Sequence, residues 1–205
     1  MASKDYIYSG RKQYARPQGM LWSDNPGTII DGFYVPDGVE YGADSLDTPE
    51  FLILSDDNRS DIQFTPQRIE QRKRMVNGRM RSYHVADKLT LTTSWQMLPS
   101  RSSDMRPDFN TTTGSPAEAV YMYTSDGGAG GNELLDWYEN HKGSFWVYLA
   151  YDKYKAFGDD DAAYLHMNQY NQVIEMYISN FTYTVKKRGS TNLDMWDINV
   201  TLEEA

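Results

Sequence analysis

Three histidines, a run of aspartates and a glycine cluster are the residues of this chain whose chemistry could be catalytic or metal-binding. His84, His141 and His166 stand far apart, and none has metal-ligand spacing to another His, Asp or Glu. Asp159-Asp160-Asp161 offers three adjacent carboxylates. A calcium loop instead places its acids at alternate positions, with a glycine between them and a closing Glu. Consecutive aspartates point in different directions and read as a solvated loop. Gly127-Gly128-Ala129-Gly130-Gly131 is glycine-rich, but no Lys-Ser or Lys-Thr follows it to grasp a phosphate, so it reads as a flexible hinge. There is no Gly-x-Ser-x-Gly elbow. Carboxylates are plentiful, yet nothing singles out an acid and base pair. With no cysteine in 205 residues, disulfides, thiolate metal sites and a cysteine nucleophile are excluded. The sequence predicts no enzyme, no metal and no cofactor.

The formal charge is −9, but it is unevenly spread. Residues 65–106 hold nine Arg or Lys against three Asp or Glu, and the remainder is strongly acidic. An acidic body disfavours nonspecific wrapping of nucleic acid. The basic run centres on Arg72-Lys73-Arg74, Arg79 and Arg81, either side of Asn77-Gly78. Three readings of it stay open: a solvated tip, a contact with the acidic surface of a second copy, and a nucleic-acid contact. Like charges crowded on one ribbon repel, so an acidic group is expected to compensate them. The opening Met1-Ala2-Ser3-Lys4-Asp5-Tyr6 carries no apolar run after its charge, which predicts no secretory signal. No stretch reaches the roughly 18 apolar residues of a membrane anchor.

These residues need elements to hold them. Up to residue 65 the chain is turn-rich, with Pro17, Gly19, Pro26-Gly27, Gly32, Pro36-Asp37-Gly38, Gly42 and Pro49 between short apolar pieces. It reads as an arm, residues 1–65, that runs over the domain or over a neighbour, with aromatics such as Trp22 available for contact. Residues 66–205 read as the core domain. Asn77-Gly78 between strand-like runs is a strong hairpin signal, calling for positive φ at both residues. A helix from Gln67 to Met75 is the competing reading. Leu89, Leu91, Thr93, Trp95 and Met97 alternate with polar residues, which is the period of a half-buried strand. Ser100 to Ser115 reads as a polar loop and Ala119 to Thr124 as a strand. Asn132 reads as the cap of a short helix over 133–141, and Ser144 to Tyr151 as an aromatic strand. Phe181, Tyr183 and Val185, then Trp196, Ile198, Val200 and Leu202, give a C-terminal hairpin with one dry and one wet face. The fold class expected is mainly β: an antiparallel β-sandwich or β-barrel with one flanking helix and long loops.

Two stretches carry a resemblance. Gln71-Arg72-Lys73-Arg74-Met75-Val76-Asn77-Gly78-Arg79-Met80-Arg81, with His84-Val85-Ala86-Asp87-Lys88 and Ser94-Trp95-Gln96-Met97-Leu98-Pro99-Ser100-Arg101, resembles a block in structural tail proteins of tailed bacteriophages. The ending Trp196 to Glu204 is similar to the way such proteins finish. The likeness covers about a third of the chain. It implies a virion subunit of the tail tube or of the distal or baseplate ring, assembled in the host cytoplasm. It implies partners too: copies of itself in a ring, a hexamer favoured, neighbouring tail proteins, and DNA only in transit through an acidic lumen. The interface candidates are then Arg72, Lys73, Arg74, Asn77, Gly78, Arg79, Arg81 and Trp22. A carbohydrate-binding β-sandwich, with exposed aromatics in a groove, is the alternative.

Overall fold

The computed structural model describes residues 19–30, 33–40, 49–109, 116–151, 170–188 and 193–205. In chain order the elements are β1 (Met20–Ser23), β2 (Thr28–Ile30), β3 (Phe33–Val35), β4 (Val39–Glu40), β5 (Glu50–Ile53), β6 (Gln63–Arg74), β7 (Met80–Pro99), β8 (Ser103–Phe109), β9 (Pro116–Met122), α1 (Gly131–Asn140), β10 (Phe145–Leu149), β11 (Gln172–Arg188) and β12 (Asp194–Glu204). Eight strands form one sheet in the order β4-β5-β1-β10-β11-β12-β7-β6, antiparallel except for the short β4–β5 pair. Strands β2–β3 and β8–β9 make two separate ribbons. The mainly β fold, with one helix among the described residues, matches the class expected from the sequence. No helix among the described residues is long and apolar enough to cross a membrane.

The sheet curls so that both of its ends share a core. Met20, Trp22, Leu52 and Leu54 from one end meet Leu91, Trp95, Ile198, Val200 and Leu202 from the other, with Leu134 and Trp137 of α1 between them. Residues 54–62 link β5 to β6 across this curl. Trp95 Nε1 donates to the Ser55 carbonyl at 2.8 Å, and the Ser60 amide donates to the Ser94 carbonyl at 2.7 Å. A second apolar cluster, including Leu21, Ile53, Phe51 and Tyr148, covers the opposite face of β1, β5 and β10. These three strands are therefore buried on both sides, which is why Phe51-Leu52-Ile53-Leu54 and Phe145-Trp146-Val147-Tyr148-Leu149 read as unbroken apolar runs.

The reading of residues 1–65 as an arm is corrected for its described part. β1 and β5 are inner strands of the main sheet, and residue 65 falls inside β6. Residues 1–18 lie outside the described residues. Trp22 is also corrected as an interface candidate: it is fully buried, packed on Phe145 at 5.3 Å and Trp137 at 6.4 Å between ring centroids.

Other expectations shift as well. The 100–115 segment is not all loop, since residues 103–109 pair with 116–122. The helix starts one residue before the expected cap: Gly130 is the N-cap, and its amide donates to Glu133 Oε2 at 3.1 Å. The glycine cluster is clamped rather than hinged. Ala129 bridges to Leu54, and a Cβ on Gly128 would collide with the backbone of Ser55.

Strand alternation fails in one instructive place. Gln96 and Met97 together oppose Asp197, a β-bulge that turns Met97 outward and Leu98 into the core.

Candidate functional site

β12 pairs with β7 only as far down as Thr90. Below that row β6 and β7 continue together to Arg74 and Met80, and among the described residues no third strand flanks them, so a two-stranded ribbon projects from the body. Its β7 side spans ten residues from Met80 to Leu89, roughly 30 Å at the rise of a β-strand. The turn at its end is Met75 to Arg79. Only Gly78 takes positive φ there, at 79°, so the two-residue turn expected from Asn77-Gly78 is replaced by a longer loop. The Asn77 side chain caps it by accepting the Arg79 amide at 3.1 Å, and the Met75 amide donates to the Arg79 carbonyl at 2.8 Å. No helix forms over 67–75; the pairing with β7 wins over local propensity.

The ribbon sorts its charges. Near the body, Asp87 Oδ1 lies 3.1 Å from Arg68 Nε and 3.0 Å from His84 Nε2. Hydrogen bonds from His84 and then Arg68 hold the Asp87 carboxyl below its ordinary range. Further out, Glu70 accepts the Ser82 hydroxyl at 2.6 Å and pairs with Arg72, and these two, Ser82 first, lower its pKa as well. The compensation expected for the basic run thus exists for Arg68 and Arg72 within the chain. Among the described residues Lys73, Arg74, Arg79 and Arg81 have no ion pair. Lys73 and Arg81 are directly opposed in register, so the two like charges share one face. Between the cations stand apolar side chains without cover: Ile69, Met75, Val76, Met80, Tyr83 and Val85, with Tyr83 at 73% relative exposure. The structure gathers Arg72, Lys73, Arg74, Asn77, Gly78, Arg79 and Arg81 at this one tip, and Trp22 does not belong with them.

A second feature escaped the sequence reading. β10 pairs with β11 only from Gln172 to Met176, yet β11 continues to Arg188. Among the described residues, its edge facing away from β12 is unpaired from Tyr177 onward. The Ala205 amide donates to the Glu175 carbonyl, which fixes the alternation: the amides of Thr182 and Thr184 face β12, and those of Tyr183 and Val185 face the open edge. The dry face expected for Phe181, Tyr183 and Val185 is only partly covered, since Tyr183 and Val185 are about half exposed. What apolar cover exists is aromatic. Tyr138 of α1 stacks on Phe181 at 4.8 Å, and Tyr183 on Trp196 at 5.1 Å. The signal that would have found this edge is a length mismatch: a five-residue aromatic strand beside a seventeen-residue one.

Among the described residues no three His, Cys, Asp or Glu side chains converge as metal ligands. His84 belongs to the Arg68–Asp87 group. His141 closes α1, with its ring stacked on Trp137 at 3.7 Å and its Nε2 2.8 Å from Asp24 Oδ1. His166 and Asp159-Asp160-Asp161 lie outside the described residues. No protein-family model matches the chain, and no curated protein matches it.

Proposed function

We propose that this chain is a non-enzymatic structural subunit that assembles with copies of itself, and that the assembly is a ring or stacked tube of a phage tail, at the tube itself or at its distal or baseplate end. The observation that carries the reading is the projecting β6–β7 ribbon, which displays six exposed apolar side chains and four unpaired cations on a body that is otherwise acidic. A two-stranded ribbon of this length is marginal alone. Apolar side chains on a projecting element expose area that a partner surface would remove from water. The unpaired cations match the acidic surface of a second copy, which would steer the approach.

The open edge of β11 supports the same reading. It presents unpaired backbone groups, a template for a strand of another chain. The edge of β6, along Gln63–Arg74, has no further strand beside it among the described residues and is a second such template at the far end of the sheet. Two different edges on one subunit would give a head-to-tail contact, which closes into a ring or grows into a filament according to its rotation. An acidic lumen would let DNA pass without adhering.

Light scattering and negative-stain images of one purified sample test this. Rings or tubes are expected at high protein concentration, and Val76→Asp at the tip is expected to reduce them without altering the melting temperature. A particle of monomer mass at every concentration, with the wild-type sequence and with its assembly neighbours added, would overturn the proposal.

A further inference from the structure

The two faces of the β6–β7 ribbon differ in kind. On the body, Phe64 and Leu91 stand opposite each other on the side that packs into the core, while the Gln63–Thr92 and Thr65–Thr90 pairs look outward. β6 keeps this alternation to its end. Arg68, Glu70, Arg72 and Arg74 therefore follow Phe64 and Pro66 on the core side, and Gln67, Ile69, Gln71 and Lys73 continue the outer face. β7 does not keep it. Ile69 pairs with Ala86 but Glu70 pairs with His84, so Val85 is an extra residue, a β-bulge near the base of the ribbon. Beyond it the bulge exchanges what β7 shows on each side. Ser82 and His84 turn to the core side, where Ser82 meets Glu70 and His84 meets Asp87. Tyr83 and Arg81 turn outward, opposite Gln71 and Lys73.

Polarity therefore inverts along the ribbon. The core side, apolar on the body, becomes a charged face whose Arg68–Asp87–His84 and Arg72–Glu70–Ser82 groups satisfy one another. The outer side, polar on the body, gains exposed Ile69 and Tyr83 and the opposed pair Lys73 and Arg81, with no carboxylate among them. A face that met only water would need no such exchange. Two like charges directly opposed repel, and an acid placed between them from outside removes that cost.

We propose, on the reading of this chain as a self-assembling subunit, that the outer face alone is the docking face of the ribbon. It lies on the acidic surface of a second copy, with Ile69 and Tyr83 against apolar groups and a carboxylate of that copy between Lys73 and Arg81. Charge complementarity selects this occupant: outside residues 65–106 the chain holds eleven Arg or Lys against twenty-six Asp or Glu. The same acidic body repels nucleic acid. The strip from Ile69 to Lys73 is two strands wide and covers well under the roughly 800 Å² per partner of a stable interface. It therefore acts as one contact among several in a closed assembly. The bulge at Val85 sets which side chains meet the second copy.

Matched variants of the two faces test this, read as the protein concentration at half-assembly in sedimentation velocity on nuclease-treated samples. Lys73→Glu with Tyr83→Ser reverses a cation and removes an exposed apolar side chain on the outer face. Arg74→Glu with Met80→Ser makes the same kinds of change on the core side, where these two residues pair. The first pair is expected to raise the half-assembly concentration about tenfold or more, and the second to leave it within about twofold. Equal shifts, or a larger shift from the second pair, would overturn the assignment of the face while self-assembly stands. A wild-type protein that stays monomeric would overturn the self-assembly reading itself, and this docking with it. A photoreactive benzophenone side chain in place of Tyr83, in a mixture of isotopically light and heavy chains, gives a second readout. It is expected to link one copy to another at segments outside residues 65–106. Links confined to single chains, or none in an assembled sample, would overturn the proposal equally.

Discussion

Asp197 holds Met97 in a backbone conformation that methionine disfavours. The Met97 amide donates to Asp197 Oδ1 at 2.9 Å while Met97 sits at φ 54°, in the left-handed region. That bond anchors the bulge that delivers Leu98 to the core. The strain of a non-glycine residue there is about 1 kcal/mol or more. Met97 is 41% exposed, so its side chain contributes little burial. Met97→Gly is therefore expected to leave the melting temperature unchanged or raise it, and Met97→Val, β-branched, to lower it. A thermal melt of the two variants beside wild type checks the sign.

The same pair sets a pH dependence. The Met97 amide first, and Lys186 Nζ at 3.2 Å second, hold the Asp197 carboxyl below its ordinary value of 3.8. A depressed carboxylate stabilises the fold above the unfolded pKa, and that contribution is lost as pH falls through the folded value. Asp197→Asn keeps an acceptor for Met97 but removes the charge. The stability gap between wild type and this variant is expected to be full near neutrality and to shrink on acidification below about pH 4. Denaturant titrations at a series of pH values measure it.

Asp126 ties the segment after β5 to the glycine cluster before α1. Its carboxylate accepts the Ser55 hydroxyl at 2.9 Å, the Asp56 amide at 2.7 Å and the Gly128 amide at 2.9 Å, and the residue is buried. Asp126→Ala leaves the buried Ser55 hydroxyl and Gly128 amide, and the part-buried Asp56 amide, without this acceptor. The expected loss is about 3 kcal/mol or more. Gly128→Ala attacks the same junction by steric collision with Ser55 and is expected to cost about 1–3 kcal/mol. The free energies of unfolding of the two variants check both.

Much of this architecture is written locally in the sequence, and the rest depends on partners far along the chain. Trp196, Ile198, Val200 and Leu202 alternate cleanly because β12 has strands on both sides and one core beneath it. The hairpin at Asn77-Gly78 is legible because its turn residues are local, although the Gln, Arg, Glu and Lys of β6 favour a helix and are held extended by pairing with β7. Trp22 misleads because its neighbours in sequence are turn residues, while its partners Trp137 and Phe145 lie more than a hundred residues away. Met97 misleads because an extra residue in one strand has no local signature, and Asp197 supplies the reason from the opposite strand. The basic tip could be read as a cluster, since the charges are adjacent in sequence. The unpaired edge of β11 could not, because it arises from a difference in length between strands whose pairing the sequence does not state.

The contrast between Trp22 and the tip gives a direct test of core against surface. Trp22→Ala removes a fully buried indole from the packing around Trp137 and is expected to cost about 3–5 kcal/mol. Arg79→Ala removes an exposed, unpaired guanidinium and is expected to stay within about 0.5 kcal/mol of wild type. Chemical denaturation midpoints separate the two readily. Comparable losses in both variants would mean that the tip folds back on the body.

The open edge of β11 can be tested with proline, because alternate residues of that strand aim their amides at different neighbours. Val185 points its amide away from β12, and Thr184 points its amide toward Asp197 on β12. Proline at 184 deletes a ladder hydrogen bond and is expected to destabilise the subunit by about 3 kcal/mol. Proline at 185 deletes only an outward donor, a position that edge strands tolerate. If another chain pairs with this edge, Val185→Pro is expected to lower the assembled fraction in sedimentation velocity while the melting temperature of the dissociated subunit stays near wild type. A Val185→Pro protein that assembles as well as wild type would remove the β11 edge from the interface and leave the projecting ribbon as the contact to pursue.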